Sequence, residues 1–317
     1  MTKHTIGINL WSQAASWADF LAAAKRVDEL GYASLWTWDH LHAIVGDPQQ
    51  AIFEGYVTLG AWAEATRNVK LGLMVGANTF RNPGLVVKSI ATLDHASGGR
   101  AILGIGGAWF EYEHTAHGIP FGRSAGERLT WLDESVAAMR TLLDGGTVTS
   151  EAGGRYDFKD LHHVPDPVQG HVPIMIGGTG RTKTMRTVAR YADQWNAAGT
   201  PELLGELGPI LHGYLDEEGR PRNAIERTTN LWMVIRDSEA DARKIWDETM
   251  AANVKAVDEG MIAEQRPILG PVEKVAARLR EYAAVGFTSH ILEVPAPYDA
   301  ETLERLIGEV VPLLAGD

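Results

Sequence analysis

Four short runs in this 317-residue chain gather side chains able to do chemistry. In LWTWDHLH, Asp39 and His40 set a carboxylate beside an imidazole. That pairing suits proton transfer, because His titrates near neutrality and Asp can orient or stabilise its charged form. A helix-starting Asp with a structural His would give the same fragment, so both readings stand at this point. In IMIGGTGRTK, Gly177, Gly178, Thr179 and Gly180 run into Arg181, Thr182 and Lys183 at a helix start. Backbone N–H groups there, with the added cations, make an anion site most natural for phosphate. The G-K-[ST] ending of a Walker A loop is missing, and glycines also serve tight βα turns. In LMVGANTFRNP, Met74, Val75, Gly76 and Ala77 lead to Asn78 and Thr79 as hydrogen-bonding groups. In GIGGAWFE, Gly106, Gly107 and Ala108 allow close backbone approach, and Trp109 offers a flat face.

Other aromatic and imidazole groups carry weaker signals. Of ten tryptophans, Trp11, Trp36, Trp38, Trp109 and Trp195 fall at or near expected strand ends, where they suit a conjugated ring; Trp36 reads as core filler. His42 makes an H-x-H pair with His40, but a metal needs further ligands from other strands, and no metal site is expected. His114, His117, His162 and His163 read as surface residues.

The elements that must position these groups alternate between strand and helix. Expected strands are 5–10, 34–39, 70–75, 100–106, 173–178, 194–198, 231–235 and 289–294. Helices are expected near 16–30, 51–66, 83 onward, 124–143, 181–191, 202–215, 239–257 and 300–314. Gly31 serves as a C-terminal stop, and Pro83 suits a first turn. Eight βα units imply a parallel sheet closed into a (β/α)8 barrel, with ligand groups at the C-terminal strand ends. An open doubly wound sheet would carry G-x-G-x-x-G after its first strand, whereas Leu10 is followed by WSQAASW. Three insertions exceed a minimal barrel: a long loop at 109–123 after strand 4, a hairpin-like excursion at 144–172 before strand 5, and a loop plus extra helix at 259–286 before strand 8. Loops of this length are usually functional. The whole span 1–317 reads as one domain.

Composition narrows the function. A net charge of −12 without clustered Lys or Arg argues against a nucleic-acid partner. The absence of cysteine excludes disulfides, thiolate metal sites and a Cys nucleophile. No segment reaches the apolar length of a membrane span, and MTKHTIGINLW lacks a signal-peptide pattern, so a cytoplasmic location is the expectation.

Four segments together carry a specific likeness: LGYASLWTWDHL, KLGLMVGANTFRNPGLVVKSIATLDHASGGRAILGIGGAWFEYEHTAHGIPF, VPIMIGGTGRTKTMRTVARYADQWNAAG and GPVEKVAARLREYAAVGFTSHIL. Over nearly its whole length the chain resembles the bacterial luciferase-like flavin/deazaflavin oxidoreductases, which are (β/α)8 TIM barrels, and within them the F420-dependent branch. The resemblance implies hydride transfer between F420 and a small organic substrate. It implies Asp39 against the deazaflavin and His40 as the catalytic proton donor or acceptor, oriented by Asp39. The strand-3 loop would pass under the ring, with a non-prolyl cis peptide near Met74–Val75–Gly76. The Gly177–Gly178 turn would hold the phosphate-bearing tail. Sugar-phosphate dehydrogenases of this superfamily carry a Glu acid/base in the strand-4 loop, where Trp109 stands here. Either Glu111 or Glu113 is a substitute, but the simpler implication is a different substrate class. The alternatives are an FMN-dependent monooxygenase using O2 and reduced flavin, a cofactor-binding protein without catalysis, and a metal-dependent hydrolase built on His40 and His42. A homodimer, with a flavin or F420 reductase as redox partner, completes the expectation.

Overall fold

The computed structural model describes residues 4–150, 153–253 and 267–315. Its centre is a closed parallel barrel of β1 (Thr5–Leu10), β2 (Ser34–Thr37), β3 (Lys70–Leu73), β5 (Ala101–Gly106), β6 (Ile174–Gly177), β7 (Gln194–Asn196), β8 (Glu226–Leu231) and β11 (Ser289–Val294). Pairing of β3 with β5 at Leu71–Ala101 and Gly72–Ile102 closes the ring. A two-residue strand, β4 (Gly76–Ala77), continues β3 beyond a cis Met74–Val75 peptide bond, so the expected strand 70–75 ends at Leu73.

Helices α1 (Trp17–Glu29), α2 (Gly55–Ala65), α3 (Pro83–Ser97), α5 (Ala125–Leu143), α6 (Lys183–Tyr191), α7 (Pro201–Glu217), α8 (Glu239–Asn253) and α9 (Val272–Ala284) surround the strands. Their starts follow ordinary capping chemistry. Ser16 accepts from Asp19 N–H, Ser124 from Glu127 N–H and Thr200 from Leu203 N–H, while Pro83 occupies the first turn of α3. Gly31 follows α1 at a φ of 81°. The closing helix starts at Ala300 and widens to a π-helix over Leu306–Val310. The main apolar core lies between strands and helices, including Phe20, Trp62, Trp195 and Phe287. A smaller core of Trp36, Met74, Ile102, Met175 and Ile291 lies inside the barrel.

Three expectations need correcting. The seventh barrel strand is Glu226–Leu231 rather than 231–235. The apolar run after it splits off as β9 (Met233–Ile235), which pairs with β10 (Ile268–Gly270) outside the barrel. ERTTNL is too polar to read as a barrel strand, yet Thr228 is buried and accepts from the Asn196 amide, and Asn230 faces the cavity at the strand end. The loop 109–123 contains a helix, α4 (Glu111–His117), with acidic residues in its first turn and a left-handed Gly118 stop. The helix expected from 181 begins at Lys183. The excursion at 144–172 does contain an antiparallel bridge, Val148 to Leu161. Of the insertion at 259–286, the part before 267 lies outside the described residues.

Candidate active site

A cavity of about 870 Å3 opens at the C-terminal ends of the strands, where parallel barrels place their ligands. Its wall takes in Asp39, His40, Met74, Val75, Gly76, Ala77, Gly106, Gly107, Ala108, Trp109, Gly177, Gly178 and Thr179, all expected there from sequence. Asn78, Gly180 and Arg181 are not part of that wall. Arg181 points to solvent and pairs with Glu206 at 2.7 Å, because the helix begins two residues later than the sequence suggests. Asn78 is buried beneath the strand-3 loop with both amide atoms unpartnered, and its backbone N–H donates to Gly106 O.

The floor is shaped by glycines. Directly after the cis bond, the Val75 side chain lies against Gly106 and Gly177: a Cβ added at Gly106 would come within 2.8 Å of Val75 Cγ2, and one at Gly177 within 2.9 Å. Any side chain at either position would evict Val75, so the two glycines allow one aliphatic ridge to cross the barrel mouth. Gly178 lies at a φ of 132°, in a conformation open to glycine, and turns the chain toward α6. No side chain caps α6; Met185 N–H donates to Gly180 O, and Thr184 in the first turn lies on the cavity wall with Thr179.

Asp39 and His40 are adjacent in sequence but belong to different networks. The Asp39 carboxylate is buried; Oδ2 accepts from Arg81 Nη1 at 2.7 Å and from Ala77 N–H at 2.8 Å, and Oδ1 accepts from Arg81 Nη2 at 2.9 Å. Arg81 also reaches Glu54 and stacks over Tyr56 at 4.8 Å. Burial pulls its guanidinium down, and Asp39 more than reverses this, so its pKa is raised. Asp39 therefore fixes the loop under the cavity and does not orient His40. That task falls to Glu113 on α4. His40 Nδ1 donates to Glu113 Oε1 at 2.9 Å, and Glu113 Oε2 accepts the Leu41 N–H at 2.9 Å. Glu113 is buried at 1% exposure, which makes this a desolvated, charge-assisted contact. His40 Nε2 is left as the ring atom available for proton transfer. Trp109 stands edge-on to the His40 ring at 5.7 Å and is half exposed at the rim.

Of Glu111 and Glu113, the two substitutes that the sequence offers for a strand-4 loop Glu, α4 brings Glu113 onto His40 and leaves Glu111 exposed. Absence of a Glu at position 109 therefore does not deprive the site of a carboxylate. Sequence reasoning also missed Glu293, Asn230 and Trp232, which line the opposite side with Trp11 and Trp38. A lone Glu in the apolar run SHILEV, one residue from a strand end, was the available signal. Trp36 and Trp195 are core residues, the latter donating to Gly178 O at 2.8 Å. His114 is fully buried between Thr79 and the Phe110 carbonyl rather than on the surface. Among the described residues, no group of three or more His, Asp or Glu could hold a metal ion.

Comparisons with known proteins agree with this architecture. An uncharacterized protein of Mycobacterium tuberculosis (strain ATCC 25618 / H37Rv) is 31% identical over 189 residues, covering 55% of this chain and 65% of that protein. The match thus spans just under two thirds of that relative's length. An F420-dependent glucose-6-phosphate dehydrogenase of Kineococcus radiotolerans is 30% identical over 326 residues, covering 94% of this chain and 92% of that one. An F420-dependent secondary alcohol dehydrogenase, solved with an F420-acetone adduct, superimposes with a TM-score of 0.84 at 20% identity, covering 98% and 99% of the two chains, and so shares the fold. Residues 2–254 match the family described as luciferase-like monooxygenase, and the chain belongs to that family.

Proposed function

We propose that the chain is an F420-dependent oxidoreductase that moves a hydride between the deazaflavin and a small organic substrate. The observation that carries this reading is the floor of the cavity. The Val75 ridge, held between Gly106 and Gly177, gives a flat tricyclic ring something to rest on, with His40 at its edge. The residues present fit the group. The Thr179 backbone and the α6 start at Thr184, both on the cavity wall, suit its phosphate, and the Gly76–Ala77 backbone, pinned by Asp39, suits its polar ring edge. The names of the full-length relatives support the same cofactor.

Once bound, the deazaflavin supplies the hydride chemistry, and the protein supplies binding, orientation and proton control. Asp39 and Arg81 keep the loop under the ring in one conformation. Glu113 holds the His40 ring with Nδ1 committed, so that Nε2 gives or takes the substrate proton. Indole faces exclude water on the substrate side. The only cation on the cavity wall, among the described residues, is Arg128, which stacks on Phe121 at 3.7 Å. That leaves little to hold a sugar phosphate, and favours an uncharged or cationic substrate.

The test is a fluorescence titration of the purified chain with F420 and, in parallel, with FMN. Micromolar or tighter F420 binding, with FMN at least ten-fold weaker, is the expected result. Preference for FMN would replace this reading with a flavin monooxygenase on the same barrel. F420 binding with neither oxidation of an alcohol by F420 nor reduction of an aldehyde, imine or enone by reduced F420 would leave a cofactor-binding protein.

A further inference from the structure

Beyond the glycines and the His40–Glu113 pair, the wall of the same cavity carries a cluster of indoles around a buried acid, with Trp38 edge-on to His40 at 6.4 Å. The indoles are those of Trp11, Trp38 and Trp232; Trp11 lies 4.5 Å from Trp38 and 5.1 Å from Trp232 between ring centroids. At the base of the cluster sits the Glu293 carboxyl, 5% exposed, at the end of β11. Oε2 accepts from Asn9 Nδ2 at 2.7 Å and from Trp11 Nε1 at 2.8 Å, and Oε1 accepts from Asn230 Nδ2 at 3.1 Å. Every hydrogen-bond partner is a neutral N–H group, and no Lys or Arg side chain forms an ion pair with this carboxylate among the described residues. The two asparagines turn their N–H groups toward Glu293 and leave their Oδ1 atoms buried and unpartnered. Asn9 is fully buried, and Asn230 lines the cavity.

The N–H groups around Glu293 are thus already engaged by its carboxyl, which has no counter-charge among the described residues and is bounded by aromatic faces. Burial pushes the Glu293 carboxyl up, while the surrounding N–H groups hold it down. A buried acid that lacks a counter-charge is costly unless a ligand supplies one. Unsatisfied buried acceptors likewise call for a donor, and indole faces attract cations. A hydroxyl ligand would satisfy one acceptor and no charge. A protonated amine supplies the counter-charge that Glu293 lacks, and its hydrocarbon part packs on the indoles.

We infer that the Trp11–Trp38–Trp232 cluster, with Glu293 and Asn230 at its base, is a substrate subsite for a protonated amine carrying an apolar group. This rests on the reading of the cavity as the oxidoreductase site, and names the class of substrate presented there. Isothermal titration calorimetry of the full chain at pH 8 tests it, comparing benzylammonium chloride with benzyl alcohol, its neutral counterpart. Benzylammonium is expected to bind at least ten-fold more tightly on the unmodified chain. Glu293→Gln keeps the size and one acceptor oxygen, and should bring the affinities for the two probes within two-fold of each other. Equal affinity for the two probes, or a preference that survives Glu293→Gln, overturns the inference. Neither measurement requires turnover. Loss of amine preference with F420 binding intact sinks the subsite alone; intact amine preference without F420 binding sinks the cofactor reading alone.

Discussion

Replacing Arg81 with Ala isolates the part of the site that the sequence obscures most. Arg81 is 22% exposed in its side chain, and Asp39 is 1% exposed, so their two-pronged contact is largely shielded from water. Removing the guanidinium leaves a buried carboxylate with one remaining donor, the Ala77 N–H at 2.8 Å. Breaking a buried pair from one side costs about 3–5 kcal/mol, because the other charge stays behind without compensation. An unfolding entropy of about 2.1 cal/mol/K per residue over 317 residues gives roughly 0.67 kcal/mol/K, so the melting temperature should fall by about 5–8 °C. The same substitution releases the Ala77 loop, so F420 affinity should fall at least ten-fold. Differential scanning calorimetry at fixed scan rate measures the first effect, and fluorescence titration the second. The double variant Asp39→Asn with Arg81→Met removes both charges and should recover more than half of the lost melting temperature. A drop below 2 °C for Arg81→Ala, or a double variant no more stable than the single, would refute the assignment of Asp39 as a charge held in place by Arg81.

Two further outcomes follow from the other carboxylates. Glu113→Gln keeps a hydrogen-bonding group opposite His40 but removes its charge, a loss of about 1.5–3 kcal/mol that corresponds to roughly a 10- to 150-fold fall in kcat with cofactor affinity preserved. Combining it with His40→Asn should cost little beyond His40→Asn alone; independent, multiplying losses in stopped-flow turnover would show that the two do not act as a unit. The Glu293 carboxyl has a raised folded-state pKa, so its stabilising contribution is present below its unfolded pKa and is lost as pH rises through the folded value. Glu293→Gln should accordingly melt above the parent at pH 8 and close to it at pH 4, and parallel melting curves across that range would contradict the sign.

What could be read from the sequence was whatever a local pattern encodes. Apolar runs ending in glycine or small polar residues located seven of the eight barrel strands and the wall from Met74 to Thr179, because a buried parallel strand and its exit turn write themselves into consecutive residues. β8 escaped because its side chains serve the cavity: Thr228 pairs with Asn196 and Asn230 with Glu293, so function replaced the apolar signature with a polar one. The partners of charges escaped for a different reason. Nothing in the string DH says that the Asp will face an Arg 42 positions later while the His faces a Glu 73 positions later. Both residues follow the end of β2 and reach the cavity wall, yet each side chain takes a partner distant in sequence, so contiguity did not reveal the pairing. The useful partner sits on the helix that the strand-4 loop concealed. The same logic explains Glu293. An acid one residue from the end of an apolar barrel strand must face either the helix layer or the cavity, and only the cavity offers it the donors of Asn9, Trp11 and Asn230. A charge inside an apolar strand near its C-terminal end is therefore the sequence signal to weigh more heavily in a barrel of this kind, ahead of any charged pair that is merely contiguous.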